Sequence, residues 1–539
     1  MVQYNKKRER SFAVIRTNVI LPIKYDDEII AKTVADSLGF PRSEITSVEL
    51  RRLALDVTDK ANPCYKATVA FSALPKREAG LLKMKKRVTP DPVLSFTVKK
   101  REFTYRPIVV GAGPAGLFAA LTLARAGARP ILVERGLAVE ERRAKVDLFN
   151  RLGVLDTECN VQFGEGGAGT YSDGKLKYGS MDAYKLSVLR DFVHAGADES
   201  ILYSTSAHLG TDRLSDIVKK IRCEIIALGG EVRFSTRLVG IGVRNSAVTS
   251  VTLLSGGEEY TLDTNALILA TGHSAEDSFR LLDSLGVKMT PKGFGIGMRI
   301  EHRREYINDL VYGRGHNPDL PTASYHLVTH LPTGRSVYSF CMCPGGTVVP
   351  ATSTEGSVVT NGMSEYLRDG DNSNAALLVS VTPDDFGSDS ALAGIELQRR
   401  IERAAFSVAG ESYKAPVWRL SDLLEKSSTS QIGEVIPSYT RGVELVRPDE
   451  YLPEYITDSL RAAIADFDAW LPGYYHPDAI LTGAETRSTS PIRVERDKTY
   501  QSHTLRGLYP AGEGAGYAGG IISSATDGVR VAEALLNNE

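Results

Sequence analysis

The sequence predicts a mixed α/β fold built on a parallel β-sheet. The first observation is a strand–helix–strand pattern in which the apolar stretches Ile108–Val110 and Ile131–Val133 flank an alanine-rich segment. The second is a short strand and a helical pattern over residues 505–537. The third is another apolar strand within residues 266–272. We therefore expect one sheet assembled from distant parts of the chain, with a further domain inserted between them.

The glycines that follow the first strand predict a dinucleotide site. Gly111, Gly113 and Gly116 have the spacing G-x-G-x-x-G directly after a strand and at the start of a helix. Gly111 allows a tight turn, Gly113 lets backbone approach a pyrophosphate, and Gly116 lets helix and strand pack closely. Glu134, at the end of the second strand, is placed to accept hydrogen bonds from a ribose, and the helix N-terminus favours phosphate. A glycine-rich turn in some other α/β unit is the alternative. The predicted binding residues of this Rossmann-type unit are Gly111, Gly113, Pro114, Ala115, Gly116, Glu134 and Arg135.

Residues 505–537 resemble the C-terminal motif of FAD-dependent oxidoreductases. They combine a short strand, a glycine-dense loop and a helix from about residue 521, and Glu513 stands where the motif usually has an aspartate. Residues 266–272 resemble the strand and Ala-Thr-Gly turn that precede the return to the flavin domain in those enzymes. The resemblance implies that the dinucleotide is FAD. Since the motifs contain no His or Cys, the residues to which flavin is commonly tethered, we expect FAD to be bound non-covalently. The residues that it assigns to FAD are Thr271, Gly272, Gly512, Glu513, Gly519, Gly520 and Ile521.

A glycine-rich loop follows the first strand–helix–strand unit. Five glycines lie from Gly164 to Gly174, with polar residues between them, which indicates backbone in close contact with a ligand. A flexible surface loop is the alternative. In FAD oxidoreductases such a loop commonly wraps the pyrophosphate and ribityl chain, and a later strand flanks the adenine. The corresponding residues here are Gly166, Gly167, Thr170, Ser172, Asp173 and Leu238.

The segment between the two flavin-binding parts is expected to form a β-rich substrate domain. Cys341 and Cys343 lie two residues apart, and two interpretations stay open: a redox pair or nucleophile beside the flavin, or two small side chains that pack. Because alternate residues of a strand share one face, both thiols are expected to point the same way. His273 is a candidate proton donor, and a structural histidine is the alternative. No metal site is predicted, because too few ligands accompany the cysteines.

Three arginines are candidates for holding a substrate carboxylate: Arg299, Arg335 and Arg487. The glycines of residues 293–302 have two-residue spacing but run into a strand pattern, so we expect no second dinucleotide motif there. A separate nicotinamide domain is therefore not expected, and NAD(P)H, if it is the reductant, has to dock transiently.

The first 104 residues are expected to form a separate accessory domain. They contain 21 Lys and Arg against 12 Asp and Glu, whereas the whole chain has a net charge of −2. Their apolar pattern predicts strands at 12–21, 45–57, 65–71 and 93–98 and helices at 26–38 and 76–86, the order of the ferredoxin-like α+β arrangement. The basic cluster is either a solvated face or a nucleic-acid surface, and the strands lack an evident aromatic RNA-binding motif. It consists of Lys6, Lys7, Arg8, Arg10, Lys83, Lys85, Lys86 and Arg87.

Composition restricts the class of protein further. No run of 18 apolar residues occurs, so no membrane span is expected, and the charged first ten residues do not look like a signal peptide. Five cysteines are too few and odd in number for a disulfide framework, which favours reduced thiols in a cytoplasm.

Residues 105–539 are similar to bacterial FAD-dependent dehydrogenases of mostly unassigned chemistry, often described as NAD(FAD)-utilising. The matching phrases are residues 162–176, 293–302, 338–346, 361–364 and 511–528. More distantly, the flavin-binding parts are similar to geranylgeranyl reductase and to other flavoproteins of the glutathione-reductase type. The resemblance implies an FAD-dependent oxidoreductase acting on a small molecule, and an RNA-associated flavoprotein is the alternative. The expected domains are residues 1–104 (accessory), 105–285 (FAD-binding, first part), 286–480 (substrate) and 481–539 (FAD-binding, C-terminal part).

Overall fold

A computed structural model describes residues 15–84, 87–177 and 179–538, and these divide into two units. The first unit comprises the described residues up to 95 together with 198–207 and 315–321. The second comprises the described residues of 96–197, 208–314 and 322–538. The predicted boundary at residue 104 stays a prediction.

The first unit contains an antiparallel sheet against which a helix packs. Its strands are β1 (Ile15–Leu21), β2 (Ile45–Asp56), β3 (Cys64–Ala73) and β4 (Thr89–Pro90), and its helices are α1 (Asp27–Leu38) and α2 (Pro75–Leu81). Among the described residues the strand order is β2-β3-β1-β4, and every neighbouring pair is antiparallel. Helix α1 begins where the Asp26 side chain accepts a hydrogen bond from the N–H of Ile29, and it ends at Gly39 in the left-handed conformation.

Two predictions for the first unit are wrong: one strand does not form, and one helix ends earlier than expected. The strand expected at 93–98 does not form, and the last strand is the short β4 instead. Val93 is 93% exposed, and Pro90 and Pro92 have no N–H group to donate to a neighbouring strand. The alternating apolar pattern of this segment therefore does not lead to strand pairing. The helix expected at 76–86 is α2, which ends at Leu81. Of the basic cluster, only Lys83 and Arg87 lie within the described residues.

The second unit carries most of the secondary structure. Its strands are β5 (Ile108–Val110), β6 (Ile131–Val133), β7 (Glu231–Arg233), β8 (Thr236–Arg244), β9 (Ala247–Ser255), β10 (Glu258–Asp263), β11 (Leu267–Leu269), β12 (Met289–Pro291), β13 (Phe294–Arg303), β14 (Val328–His330), β15 (Ser336–Cys343), β16 (Thr347–Pro350), β17 (Thr360–Met363), β18 (Asn372–Val381), β19 (Ala415–Arg419), β20 (Val443–Leu445), β21 (Ile480–Glu485), β22 (Ile492–Val494) and β23 (Leu508–Pro510). Its helices are α3 (Pro114–Arg125), α4 (Val139–Leu152), α5 (Ala183–His194), α6 (Gly210–Ala227), α7 (Glu276–Ser284), α8 (Arg304–Tyr312), α9 (Ala393–Val408), α10 (Leu420–Glu425), α11 (Glu454–Trp470) and α12 (Ile521–Asn537).

A parallel sheet lies at the centre of this unit, as the sequence predicts. Its strand order in the described chain is β23-β11-β5-β6-β7, and all neighbouring pairs are parallel. Helices α3 and α12 pack tightly, since a Cβ added at Gly528 would lie 2.0 Å from the carbonyl oxygen of Ala115. The sheet is therefore completed by β11 and β23, which are distant in sequence from its first strand β5.

A larger mixed sheet forms the inserted part. In the described residues its order is β14-β15-β18-β13-β21-β19-β20, and helices α9 and α11 pack near it. Strand β13 is buried along nearly its whole length. A Cβ at Gly297 would lie 1.8 Å from the carbonyl oxygen of Leu377, so these glycines allow close strand packing rather than phosphate binding. Within the described chain, no helix is long and apolar enough to cross a membrane.

Candidate functional site

The second unit contains a cavity of about 460 Å³, here called the site cavity. Its walls come from the loop after β5, the end of β6, the glycine-rich loop and the first turn of α12. The other end is formed by β15 and by the end of β21 from the large mixed sheet. The cavity thus lies at the carboxyl ends of parallel strands, where open α/β sheets bind ligands.

Most of the predicted binding residues line the site cavity. Those at its surface are Gly111, Gly113, Pro114, Ala115, Glu134, Arg135, Gly167, Ser172, Asp173, Leu238, Thr271, Gly272, Glu513, Gly519, Gly520 and Ile521, together with the candidate catalytic residues His273 and Cys341. Those that do not line it are Gly116, Gly166, Thr170, Gly512 and Cys343.

The three glycines of the motif have different surroundings. Gly111 has a positive φ of 100°, and a Cβ there would lie 2.3 Å from the carbonyl oxygen of Ala270. A Cβ on Gly116 would lie 1.8 Å from the carbonyl oxygen of Gly111, so this glycine serves helix–strand packing. At Gly113 the nearest protein atom, the Cα of Gly167, would be 3.8 Å away. The space beside Gly113 is therefore the cavity itself.

Gly166 and Gly512 support the wall from behind. A Cβ on Gly166 would lie 2.0 Å from the hydroxyl oxygen of Thr170, which is fully buried. A Cβ on Gly512 would lie 2.7 Å from the Cβ of Ala115, and the Gly512 N–H donates to Asp527 at 2.7 Å. Their contribution to the site in this structure is close packing, and the direct contact of Gly166, Thr170 and Gly512 with a ligand stays a prediction.

Glu134 joins three loops. Its Oε2 accepts a hydrogen bond from the N–H of Ala112 at 2.7 Å, and its Oε1 accepts from the N–H groups of Gly136 and Gly164, each at 2.9 Å. A carboxylate has about four acceptor positions. One position on Oε2 therefore remains for a ribose hydroxyl.

Two helix N-termini meet the site cavity. Helices α3 and α12 begin after Gly113 and Gly520. Because both N-cap residues are glycines, no N-cap side chain accepts a hydrogen bond from the first turn of either helix. Pro114 at the first position of α3 has no N–H to satisfy. The free N–H groups and positive dipole ends of both helices therefore favour an anionic or carbonyl-bearing ligand.

Asp173 is engaged by the protein. Its carboxylate forms an ion pair with Arg368 and accepts from the hydroxyl of Ser364 at 2.7 Å, and its side chain is nearly fully buried. The loop after residue 164 is therefore anchored to the inserted part through this pair, although Asp173 still borders the cavity.

The two thiols occupy different positions. Cys341 borders the cavity, whereas Cys343 is completely buried. The register of β15 against β18 shifts between Phe340 and Cys343, and Cys341 has a φ of +41°. Because this bulge breaks the regular alternation of the strand, spacing alone does not place both thiols on one face, and that expectation stays a prediction.

Hydrogen bonds fix the bulge. The guanidinium of Arg299 donates to the carbonyl oxygen of Cys341 at 2.6 Å, and the thiol of Cys343 donates to the same oxygen at 3.2 Å. The ammonium of Lys175 donates to the carbonyl oxygen of Met342. A hydrogen bond from Cys343 lowers the pKa of Cys341, with Arg299 and Lys175 adding to the effect against burial, and the pKa of Cys343 is raised by the same hydrogen bond and by burial.

Two acidic side chains lie at the same end of the cavity. Burial raises the pKa of Glu485 to about 7, although Arg299, whose Nη1 lies 3.2 Å from both carboxylate oxygens, opposes the shift. Burial also raises the pKa of Glu513 to about 7, against the opposing charge of Lys292. Both carboxyls can therefore exchange protons near neutral pH.

Each arginine suggested for a substrate carboxylate holds a carboxylate of the protein instead. Arg299 pairs with Glu485, Arg335 forms a two-point contact with Asp385, and Arg487 forms a two-point contact with Glu402. Of the three, only Arg487 borders the site cavity. These guanidinium groups are therefore structural anchors, and their contact with a substrate carboxylate stays a prediction.

His273 lies beside Arg487 at the cavity wall. Burial and, next in size, the charge of Arg487 lower its pKa to about 4. Its Nδ1 is 3.1 Å from the hydroxyl of Ser274. The imidazole is therefore neutral at pH 7, and its role as a proton donor stays a prediction.

Several cavity residues were not predicted individually. They include Lys177, His326, Phe340, Asn361, Glu485 and Ser488. A lone acid at the end of the apolar stretch of β21 is a signal that sequence reasoning can use for Glu485. His326, Phe340 and Asn361 come together only through tertiary structure.

The donor set of the site cavity fits a phosphate-bearing dinucleotide. Gly113 leaves room for a close approach, two uncapped helix N-termini supply N–H groups, and Glu134 keeps one acceptor position. In the parts of the chain that are described, no group of three or more His, Cys, Asp or Glu side chains forms a metal site.

Two stretches of the chain match protein families. Residues 104–276 match the family described as FAD binding domain, and residues 293–488 match the family described as FAD-dependent protein, C-terminal domain-like. An uncharacterized protein of Clostridium beijerinckii is 43% identical over 535 residues, which cover 97% of this chain and 98% of the relative.

Solved structures show more distant similarity. A geranylgeranyl bacteriochlorophyll reductase-like protein of Thermoplasma acidophilum is 12% identical, with 80% of this chain and 78% of that chain covered and a TM-score of 0.35. Glycine oxidase of Bacillus cereus is also 12% identical, with 80% and 95% covered and a TM-score of 0.31. At these values no property of either protein is transferred to this chain.

Proposed function

Since the chain belongs to a family of FAD-dependent flavoproteins, we propose that it is an oxidoreductase exchanging a hydride or electron pair between FAD and a small-molecule substrate. The observation that carries the proposal is that one cavity is bordered both by the glycine loop after β5 and by Cys341, Glu485 and Glu513. A nucleotide-binding loop alone indicates a ligand. Titratable side chains with shifted pKa values at the same cavity support a reaction.

The first half of the site would hold the phosphates and the ribose. The first turn of α3 offers N–H groups and the positive end of its dipole, and Gly113 leaves the backbone open to close approach. Glu134 offers its remaining acceptor position to a hydroxyl while it holds Ala112, Gly136 and Gly164 in place. These residues bind and orient without taking part in proton transfer.

The second half would serve the substrate. FAD, when bound, supplies the capacity to take up and return two electrons. Glu485 and Glu513 each hold or release a proton at a carboxyl oxygen near pH 7. Arg299 is a positioning residue, because it fixes the carboxylate of Glu485 and the carbonyl of Cys341 together. His273 remains a further candidate at the cavity wall.

The reductant is part of the proposal. The glycines with two-residue spacing lie in or directly before the buried strand β13 (Phe294–Arg303), and not in a loop before a helix. We therefore propose that NAD(P)H, if it is the electron donor, docks transiently at the cavity.

Cofactor analysis of the purified protein tests the assignment. We expect a yellow protein with about one FAD per chain. Denaturation should release the FAD into the supernatant. Flavin that stays with the precipitated protein would contradict non-covalent binding, and FMN or NAD in place of FAD would contradict the assignment itself.

Anaerobic reduction tests the reaction class. The holoprotein is mixed with NADH, NADPH and a panel of metabolites while the flavin absorbance is recorded. Bleaching by one of them supports an oxidoreductase and identifies the donor or substrate class. A protein that holds FAD but is bleached by no member of the panel, while dithionite reduces it fully, would argue against the proposed exchange.

A further inference from the structure

We propose that Cys341 and Cys343 form a redox-active dithiol that exchanges two electrons with FAD in the site cavity. The inference deepens the proposed function and rests on it. The dithiol would carry electrons between the cofactor and a substrate. This substrate would belong to the class of molecules that react with thiols or disulfides.

The accessibility of the pair is unequal, as a dithiol of this kind requires. Cys341 borders the site cavity, in which the substrate and the cofactor would bind. Cys343 is completely buried, and its thiol donates to the carbonyl oxygen of Cys341 at 3.2 Å. We therefore expect the sulfur of Cys341, at the cavity, to react first and the buried sulfur of Cys343 to complete the disulfide.

Backbone geometry supports a functional pair over two packing side chains. Cys341 has a φ of +41°, a left-handed conformation that non-glycine residues rarely adopt. The strand bulge at this point re-aims the side chain, and bulges and strained residues of this kind cluster at functional sites. Simple packing in a regular strand would require neither feature.

The charges around Cys341 favour a thiolate. Arg299 donates to its carbonyl oxygen, and Lys175 donates to the next carbonyl oxygen, that of Met342. Three carboxyl groups oppose this effect: Asp173 is paired with Arg368, Glu485 shares Arg299 with the sulfur, and Glu513 interacts with Lys292. Two cations thus stabilise an anionic sulfur at the cavity, and the thiolate is the reactive form.

The chemistry of the step balances within the pair and the cofactor. The S–H bond of Cys343 breaks, and an S–S bond forms with the Cys341 thiolate. The pair is oxidised by two electrons, and these electrons and the proton of Cys343 would pass to FAD. In the reverse direction, the disulfide would accept two electrons and one proton from the reduced cofactor and be cleaved to a thiol and a thiolate.

Anaerobic reductive titration of the oxidised holoprotein tests the proposal. The protein is first oxidised with ferricyanide, which is then removed, and dithionite is added stepwise. We expect the wild-type chain to take up about four electrons, two for the flavin and two for the disulfide, and Cys343→Ser to take up about two. Cys223→Ser is the matched control, because Cys223 is an exposed cysteine of α6, and it should behave as wild type.

Mass analysis gives a second readout that does not depend on activity. The oxidised wild-type chain should lose about 2 Da in the peptide that contains both cysteines, and reduction should restore the mass. If Cys343→Ser folds poorly, Cys341→Ser provides the same comparison. Equal electron uptake by wild type and variants, or an unchanged peptide mass, would overturn the dithiol. A protein without flavin would instead contradict the proposed function, and the peptide mass would then show whether the disulfide itself forms.

Discussion

The Oε1 of Glu134 accepts a hydrogen bond from the N–H of Gly164 at 2.9 Å, across thirty positions of sequence. The same carboxylate holds Ala112 and Gly136, so the end of β6, the loop after β5 and the glycine-rich loop share one acceptor group. Glu134, the residue predicted to bind the ribose, is therefore also the residue that holds the loops of the cavity wall in contact.

Glu134→Ala should both destabilise the protein and abolish FAD binding. Three backbone N–H groups would lose their acceptor, and each buried unsatisfied donor costs about 1–3 kcal/mol. We expect a loss of about 3 kcal/mol or more in the free energy of unfolding, measured with denaturant. Glu231→Ala, on the neighbouring strand β7, is the control, because the side chain of Glu231 is 38% exposed. An unchanged midpoint for Glu134→Ala would contradict the bridging role.

Substitutions at Gly113 and Gly116 should separate binding from folding. A methyl group at Gly113 meets no protein atom within 3.8 Å, so Gly113→Ala should unfold within about 1 kcal/mol of wild type but bind FAD at least about tenfold more weakly. Gly116→Ala should unfold more easily, since its Cβ would clash with the Gly111 carbonyl. Thermal unfolding and flavin titration of both variants give the answer. Full flavin occupancy in Gly113→Ala would show that the cavity beside it does not hold the pyrophosphate.

Glu402 should carry a large part of the acid sensitivity of the inserted part. Burial opposes its ionisation, but Arg487 and Arg399 lower its pKa to about 2. Because the folded-state pKa lies below the ordinary value near 4.5, the stabilisation is present above pH 4.5 and is lost as the pH falls towards 2. Glu402→Gln should lower the free energy of unfolding by about 3–5 kcal/mol at pH 7.

The control for Glu402 lies on the same helix. Glu396, also in α9, pairs with Arg280 at the surface, so Glu396→Gln should change stability by less than about 1 kcal/mol. Denaturant unfolding of both variants at pH 7 and pH 4 measures the difference. Equal effects of the two substitutions would refute the buried network as the source of the acid sensitivity.

Glu513 should destabilise the protein as the pH rises, which is the opposite of the trend expected for Glu402. Burial raises its pKa to about 7, so the folded chain keeps a proton that the unfolded chain has released above pH 4.5. Stability is therefore lost as the pH rises from about 4.5 to 7. Glu513→Gln should reduce this loss by about 2 kcal/mol, measured by unfolding at pH 5 and pH 8. A variant that loses as much stability as wild type would contradict the raised pKa.

The sequence could predict those features that depend on neighbouring residues. The order of strand, glycines and helix at 108–116 is local, and the structure has it as expected. The strand expected at 93–98 was wrong because alternation does not reveal whether a sheet edge is available to pair with it. The alternative role in RNA binding stays a prediction, since most of the basic cluster lies outside the described residues.

The partners of charged groups could not be predicted, because they come from distant parts of the chain. Arg299 meets Glu485 across 186 positions, and Arg487 meets Glu402 across 85. Each arginine had been a candidate for a substrate carboxylate, and only tertiary structure shows that a protein carboxylate already occupies it. The left-handed conformation of Cys341 likewise occurs where the register of β15 against β18 shifts and where Arg299 donates to the Cys341 carbonyl oxygen. The spacing of the cysteines in the sequence predicts neither contact.

The split origin of the parallel sheet has a consequence for the time at which the site can exist in a newly made chain. Strand β23 pairs with β11, but it is synthesised about 240 residues later. At about 5–20 residues per second the ribosome needs roughly 10–50 s to cover that distance. During this interval the apolar edge at Leu267–Leu269 has no neighbour on one side, and such an edge invites pairing with other chains. The complete site cavity therefore cannot form until translation has delivered β23 and α12.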